Sequence, residues 1–243
     1  MFYNFDKRIL YVILAVMVIY GLSGYLTDTN SFLNLLYSIP AILIAITFHE
    51  FAHAKVADML GDDTPRIEGR LSLNPIDHID PVGFIMLIFA GFGWGKPVHV
   101  NPRNYNRDMT MDKADSLVSI AGPLTNFVLA IIFTFIYYFI LKIKGQQMLI
   151  STVGSIIMTM IMYVITINIG LGVFNLIPLP PLDGSKVIKP FLSYNIKQWF
   201  ENNERTFYYI FIVLWITGIA GHIISPIIRI IFNWLMKLGS FIL

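Results

Sequence analysis

Two histidines and a glutamate lie within five consecutive residues, His49-Glu50-Phe51-Ala52-His53. Positions i and i+4 share one face of an α-helix, so both imidazoles could reach a single metal ion. Such an ion lowers the pKa of a bound water to about 7, and Glu50 could then take the proton of that water. The pattern indicates metal-assisted hydrolysis, although two packing histidines and a salt-bridged glutamate would also fit these five residues.

The surroundings of this motif favour a metal site. Residues 41–46, which precede it, are all apolar, so the motif lies in an apolar helix. Ionisable residues at membrane depth are costly and usually functional. Three of them within five positions are difficult to explain by packing alone.

A hydrolytic zinc usually has three protein ligands and one open position. The chain has no cysteine, so the third ligand must be His, Asp or Glu. Asp183 stands out because it follows an apolar helix in the proline-rich run 175–184, which is stiff and cannot continue that helix. An ordinary Asp-Gly turn would give the same residues. The other candidates are His78, His99, His222, Glu68, Asp77 and Asp80.

Two asparagines also deserve a functional interpretation. Asn168, Gly172 and Asn175 recur on one helical face. Asn175 could donate a hydrogen bond to the oxyanion or the scissile carbonyl, or it could join two helices. For Asn126, which follows a Gly-Pro pair, we expect a packing role.

The composition predicts that these residues lie in an all-α polytopic membrane protein. Hydrophobic residues make up 56% of the chain and charged residues 13%, about half the share typical of soluble domains. The sequence predicts about six transmembrane helices, because a span needs roughly 20 apolar residues. The apolar runs are 9–26, 32–59, 114–141, 149–177, 207–224 and the weaker 226–243, which could span the membrane or lie at its interface.

Segment 83–97 has the wrong length and too many glycines for a span. We expect a re-entrant loop or β-hairpin here, after the second transmembrane helix. A full crossing would put Asp183 about 30 Å from the histidines, on the other side of the bilayer core. Segment 61–113 contains six Lys and Arg residues and segment 178–206 contains four, which predicts that both segments and the N-terminus are cytoplasmic. Lys142 and Lys144 would lie on the opposite side and are the exception to this charge pattern.

Together these motifs resemble the site-2 protease family of intramembrane zinc metalloproteases, peptidase family M50. The resemblance covers most of the chain and rests on two motifs in the right order, His49-Glu50-x-x-His53 and Asn175-x-x-Pro178-x-Pro180-Pro181-x-Asp183-Gly184. Residues 69–75, 78–81, 95–102 and 121–126 resemble a bacterial and archaeal branch of the family. The resemblance implies one Zn²⁺ per chain held by His49, His53 and Asp183, with Glu50 as the catalytic carboxylate and Asn175 near the site.

The resemblance also implies a biological setting. We expect a single intramembrane metalloprotease domain over 1–243, with a core at about 32–190, C-terminal membrane helices in 205–243 and no PDZ or CBS domain. The partners would be the lipid bilayer and a membrane-anchored protein substrate cleaved in regulated intramembrane proteolysis. The protein would lie in a bacterial or archaeal cell membrane, with its N-terminus and active-site opening cytoplasmic. No basic stripe with interleaved aromatics indicates nucleic-acid binding, and the oligomeric state stays open.

A metal-binding membrane transporter is the main alternative, since intramembrane His, Asp and Asn residues would suit an ion pathway. Glu50 discriminates between the two functions, because a pathway needs no carboxylate beside the first ligand whereas hydrolysis does. A membrane scaffold without catalytic activity is disfavoured, because every expected catalytic position is filled.

Overall fold

A computed structural model of the chain describes residues 28–90 and 95–243, together with Ile19. These residues are helical wherever they are regular, and their β-structure is limited to one isolated antiparallel bridge between Ile79 and Gly95. The α-helices are α1 Thr29–Met59, α2 Thr64–Ile67, α3 Pro75–His78, α4 Pro81–Ala90, α5 Met111–Lys144, α6 Gln147–Ile150, α7 Thr152–Asn175, α8 Asp183–Val187, α9 Tyr194–Asn202, α10 Glu204–Ile216 and α11 Ile219–Ser240. Two 3-10 turns occupy Pro102–Asn104 and Lys189–Phe191.

Four of the described helices, α1, α5, α7 and α11, are long and apolar enough to cross a membrane. The all-α prediction is therefore confirmed for the part of the chain that the structure describes. Helices α1, α5 and α7 fall on the apolar runs 32–59, 114–141 and 149–177. The predicted first span, 9–26, lies outside the described residues except for Ile19.

Helices α1, α5 and α7 form the centre of the molecule. His53 contacts Val118 while Ala45, eight residues earlier, contacts Asn126, so α1 and α5 run antiparallel. Fully buried alanines on α1 allow this close approach, as small residues do between membrane helices. They are Ala41, Ala45, Ala54 and Ala57. Asn168 of α7 also contacts Asn126, and Ser116 contacts Val187 beyond the end of α7, so α7 runs parallel to α1.

The C-terminal region differs from the predicted spans 207–224 and 226–243. Helix α10 ends at Ile216, and Gly218 adopts a left-handed conformation, with φ at +74°, before α11 begins. Glycine adopts this conformation readily, and it breaks the helix inside a continuous apolar run that shows no boundary in hydropathy. The helix boundary is therefore at Gly218 and not at 225.

Helix α11 begins near the C-terminal end of α7 and ends near that of α5. Ala220 of α11 lines one cavity with Ile177, just past α7, and with Leu214 of α10. At its other end, Gly239 contacts Tyr138 of α5. Helix α10 therefore meets α11 at the end of the bundle where α7 ends.

The prediction of a loop or β-hairpin for segment 83–97 is also wrong in part. Residues 83–90 belong to helix α4 and not to a loop or β-hairpin. Pro81 suits the first turn of this helix, and the Asp80 carboxylate accepts a hydrogen bond from Gly83 N at 2.8 Å, as a capping residue does. After α4 the chain returns to its starting point, because Lys96 N donates to His78 O at 2.8 Å.

Candidate metal centre

Three side chains bring their ligand atoms together where α1 meets the start of α8. The Nε2 atoms of His49 and His53 are 3.0 Å apart, and Asp183 Oδ2 lies 3.1 Å and 3.3 Å from them. A tetrahedral zinc with bonds of 2.0–2.1 Å needs ligand atoms about 3.3 Å apart. The three atoms therefore fit a zinc ion, and they form the one such cluster found among the described residues.

The remaining nitrogen of each imidazole is fixed by α5. His53 Nδ1 donates to the carbonyl oxygen of Val118 at 2.7 Å, and His49 Nδ1 donates to Asn126 Oδ1 at 2.7 Å. Because these oxygens accept the proton on Nδ1, each Nε2 keeps its lone pair for a metal. Partners of this kind orient the histidine ligands of metal sites and set their tautomer.

Asn126 connects the three central helices. Its Nδ2 donates to Ala45 O at 3.1 Å and to Asn168 Oδ1 at 2.8 Å, while its Oδ1 faces His49. Both asparagines are fully buried. The sequence predicted only packing for Asn126 and missed its contact with His49. A weak signal existed, since Gly122 and Asn126 share one helical face at i and i+4.

Gly122 permits α5 to approach the metal centre. A Cβ at this position would lie 2.7 Å from His49 Nε2 and would also collide with the imidazole of His53. Both contacts are shorter than real Cβ atoms make. A larger residue would therefore displace the two imidazoles, which explains glycine at this position.

Glu50 lies beside the metal centre on α1 and is held by a loop. Its Oε2 accepts a hydrogen bond from Val98 N at 3.0 Å. Gly95 passes so close that a Cβ there would lie 2.9 Å from Ile46 Cγ2 and 3.6 Å from Glu50 Oε1. The segment that follows α4 therefore forms one wall of the site and orients the carboxylate.

That wall is attached to the end of α1 through Asp62, a fully buried carboxylate. Asp62 accepts hydrogen bonds from Asn101 N at 2.6 Å and from Asn104 Nδ2 at 2.9 Å. Burial alone would raise the pKa of the Asp62 carboxyl, but these bonds and those from Thr64 hold the pKa below its usual range. An ionised Asp62 therefore ties the loop to the helix that carries the histidines.

Asp183 is the first residue of α8, directly after the non-helical run that follows α7. A Cβ on Gly184 would collide with the carbonyl oxygens of Leu176 and Ile177, so the chain folds back tightly here. The Oδ2 atom of Asp183 faces both Nε2 atoms, and an ionised carboxylate in this position can serve as a metal ligand.

The other candidate third ligands bond elsewhere. The imidazole of His78 donates to Ser72 O at 2.7 Å, and His99 pairs with Glu68 at 3.1 Å on the surface. His222 bonds the carbonyl that precedes its own helix at 2.9 Å. The carboxylates of Asp77 and Asp80, the remaining two candidates, also lie outside the metal cluster.

Asn175 is the last residue of α7 and half-buried. Its amide nitrogen donates to Leu171 O of its own helix at 3.0 Å, so this hydrogen bond does not join it to the metal cluster. A role for Asn175 in catalysis stays a prediction.

Known proteins similar to this chain agree with the geometry. The family model of peptidase family M50 matches residues 37–218. YwhC of Bacillus subtilis, provisionally named a zinc metalloprotease, is 36% identical over 207 residues, which is 84% of this chain and 91% of YwhC. MJ0611 of Methanocaldococcus jannaschii, with the same provisional name, is 30% identical over 78% of this chain and 89% of its own length. No solved structure gives a significant match.

The family match spans most of the chain, including all three side chains of the metal cluster and Glu50. It decides between the hydrolase and the transporter in favour of the hydrolase. The four long apolar helices place the protein in a membrane. The chain therefore belongs to peptidase family M50 and is a zinc-dependent membrane metalloprotease of the site-2 type.

Proposed function

We propose that this protease cleaves membrane-anchored proteins within or beside the bilayer, as a step in regulated intramembrane proteolysis. One observation carries the proposal: the two histidines of the metal cluster lie within a helix that is long and apolar enough to span a membrane. His49 precedes the end of α1 by ten residues, about 15 Å of helix rise, and both histidines are buried against α5. A peptide bond that reaches this cluster must come from a segment in the membrane or close to it.

The side chains divide the work as follows. His49 and His53 hold zinc through Nε2 and Asp183 holds it through Oδ2. Zinc, when bound, polarises the scissile carbonyl and acidifies the attacking water. Glu50 takes the proton of that water and passes it to the leaving amine. The amide N–H of Val98 already donates a hydrogen bond to Oε2 of Glu50. The proton taken from the water is therefore carried by Oε1.

Asn175 is proposed to donate a hydrogen bond to the scissile carbonyl or the oxyanion. It lies seven residues after Asn168 on the same face of α7, towards the end of the helix where the chain turns to Asp183. Such a donor acts only when substrate is bound. In the free enzyme its amide can therefore bond Leu171 without contradicting this role.

Helix α4 is proposed to enter the membrane, and the chain is proposed to be back on the same side by Gly95. Two contacts support this: the bridge between Ile79 and Gly95, and the hydrogen bond of 2.6 Å from Asn106 N to Leu60 O. Helix α4 has ten residues, about 15 Å of rise, which is half the bilayer core. The chain from Gly95 onward runs past Glu50, where its backbone could pair with an unwound substrate.

For the whole chain we propose one domain with five crossings: the predicted helix 9–26 and helices α1, α5, α7 and α11. The number is one fewer than the sequence predicted, because α10 has 13 residues, about 20 Å, and meets α11 at the end of the bundle where α7 ends. The ends of α1 and α7 and the site opening face the cytoplasm of a bacterium or archaeon, in line with the positive charge of 61–113 and 178–206. The C-terminus would then face the opposite side.

Mapping the cleavage site of a membrane-anchored substrate in proteoliposomes tests the main proposal. Mass spectrometry of the products should place the cut within the transmembrane segment or a few residues from it, and the Glu50→Gln variant should give no product. Cuts confined to a distant soluble domain of the substrate would overturn the proposal.

Cysteine labelling tests the topology, since the wild type has no cysteine. Cysteines at Gly69 and Asn106 should react with an impermeant reagent from the same side, and one at Leu243 from the other side. Labelling of the first two from opposite faces would overturn both the re-entrant segment and the shared metal site.

A further inference from the structure

Helix α9 has one sharply apolar face. Ile196, Trp199 and Phe200 recur at i, i+3 and i+4, which places them on one side of the helix. The opposite side is polar: Asn195, Gln198, Glu201 and Asn202. A surface helix with this pattern needs an apolar partner for one side and water for the other.

The described part of the protein does not cover this face. Trp199 is 55% exposed and Ile196 is 44% exposed, while Phe191, just before the helix, is 84% exposed. Exposed apolar side chains that lie this close together mark an interaction surface.

The apolar face of α9 continues into α10. Phe200 stacks on Phe207 with ring centroids 4.9 Å apart, and Trp199 contacts the same ring edge-on at 5.2 Å. This aromatic cluster therefore joins α9 to the first turns of α10.

We infer that α9 lies flat in the headgroup region of the bilayer, at the end of the bundle where α1 and α7 end, with Ile196 and Trp199 inserted among the lipids. The occupant of the face is lipid because the ion pair between Lys197 and Asp112 places α9 beside the first turn of α5, a helix long and apolar enough to span a membrane. Amphipathic helices with Trp on the apolar side and a polar opposite side bind the interface in this way, with the apolar face buried about 5–10 Å.

An ion pair fixes the depth of α9 relative to the metal centre. Lys197 binds Asp112, the second residue of α5. Gly122, which touches both histidines, follows Asp112 by ten positions, about 15 Å of helix rise. Between these levels Ser116 Oγ donates to Val187 O at 3.0 Å and so connects α5 to the segment that carries Asp183. Helix α9 would thus hold this segment at a set depth below the interface.

Lipid quenching of tryptophan fluorescence tests the inference without using activity. The substitutions Trp94→Phe, Trp215→Phe and Trp234→Phe leave Trp199 as the sole tryptophan. In phosphatidylcholine vesicles, lipids brominated near the headgroup should quench Trp199 more strongly than lipids brominated near the chain ends. Its emission should also lie to the blue of tryptophan in water.

A matched control moves the indole to the polar side. The same chain with Trp199→Phe and Gln198→Trp should lose quenching by brominated lipid and gain quenching by acrylamide. Equal acrylamide quenching of both proteins, without lipid quenching of Trp199, would place α9 in water. Shielding of Trp199 from both quenchers would assign the face to a protein partner or a second copy. Either result would overturn the inference, as would strongest quenching by the deepest bromines.

Discussion

The two halves of the metal centre are built in different ways. His49 and His53 come from the C-terminal third of one long helix, are buried, and are held by hydrogen bonds to Asn126 and Val118. The two carboxylates depend on irregular chain: Glu50 is held by the amide of Val98, and Asp183 follows the non-helical run after α7.

The contrast separates a part of the site that is held by packed helices from a part that is held by irregular chain. Helix–helix packing holds the histidines, so the positions of these two ligands do not depend on loops. The carboxylates lie beside segments that border the site, and Asp183 is more exposed than either histidine. The cluster is therefore more accessible from the Asp183 side than from the side of the histidine pair.

The largest effect is expected from Asp183→Ala. Removal of one of three ligand atoms should reduce zinc from one per chain to nearly none and abolish proteolysis, because three ligands are the usual minimum for a hydrolytic zinc. Metal analysis of the purified protein measures this. His78→Ala, His99→Ala and His222→Ala are the controls and should keep their zinc. If His78→Ala emptied the site and Asp183→Ala did not, the third ligand would be wrong.

Glu50→Gln separates the second carboxylate from the ligands. The rate should fall by about 10²–10⁴ because the general base is lost, while zinc content stays at the wild-type level. Parallel assays of zinc and of substrate cleavage check both parts. Full activity would refute the mechanism, and loss of zinc would show that Glu50 is itself a ligand.

Asn126→Leu examines the rigid half of the site. His49 would lose the acceptor for its Nδ1 proton, and loss of such a partner typically costs about 10–100-fold in metal affinity or activity. Competition with a zinc chelator measures the affinity. Asn175→Leu is the matched control, since its amide bonds its own helix, and it should leave zinc affinity unchanged. Equal affinities for the two variants would mean that Asn126 only packs.

Val98→Pro, in the loop that holds Glu50, is expected to have the smallest effect on activity. Proline removes the N–H that binds Glu50, and a hydrogen bond to a charged group contributes about 1.5 kcal/mol, so kcat should fall by about tenfold at constant zinc content. Val98→Ala keeps the N–H and should retain a kcat close to that of the wild type. A similar loss in both variants would assign the effect to the side chain.

Local patterns in the sequence predicted the parts of the protein that depend on neighbouring residues. The i, i+4 spacing puts His49 and His53 on one side of a helix wherever that helix lies, because the period of the helix is fixed. Hydropathy identified α1, α5 and α7 because each is apolar over the length of a bilayer core. The boundary at Gly218 and the helix at 83–90 were not predicted, since backbone conformation within an apolar run leaves little trace in hydropathy.

Composition and spacing along the chain were thus enough to predict an all-helical membrane protein with a His-Glu-His site and a few candidates for the third ligand. The residues that support this site became visible only in the folded chain. Asn126 contacts a residue 77 positions away, and Val98 contacts one 48 positions away. Contacts at such separations are formed by packing between helices and by loops that return to them, and neither leaves a periodic signal along the chain.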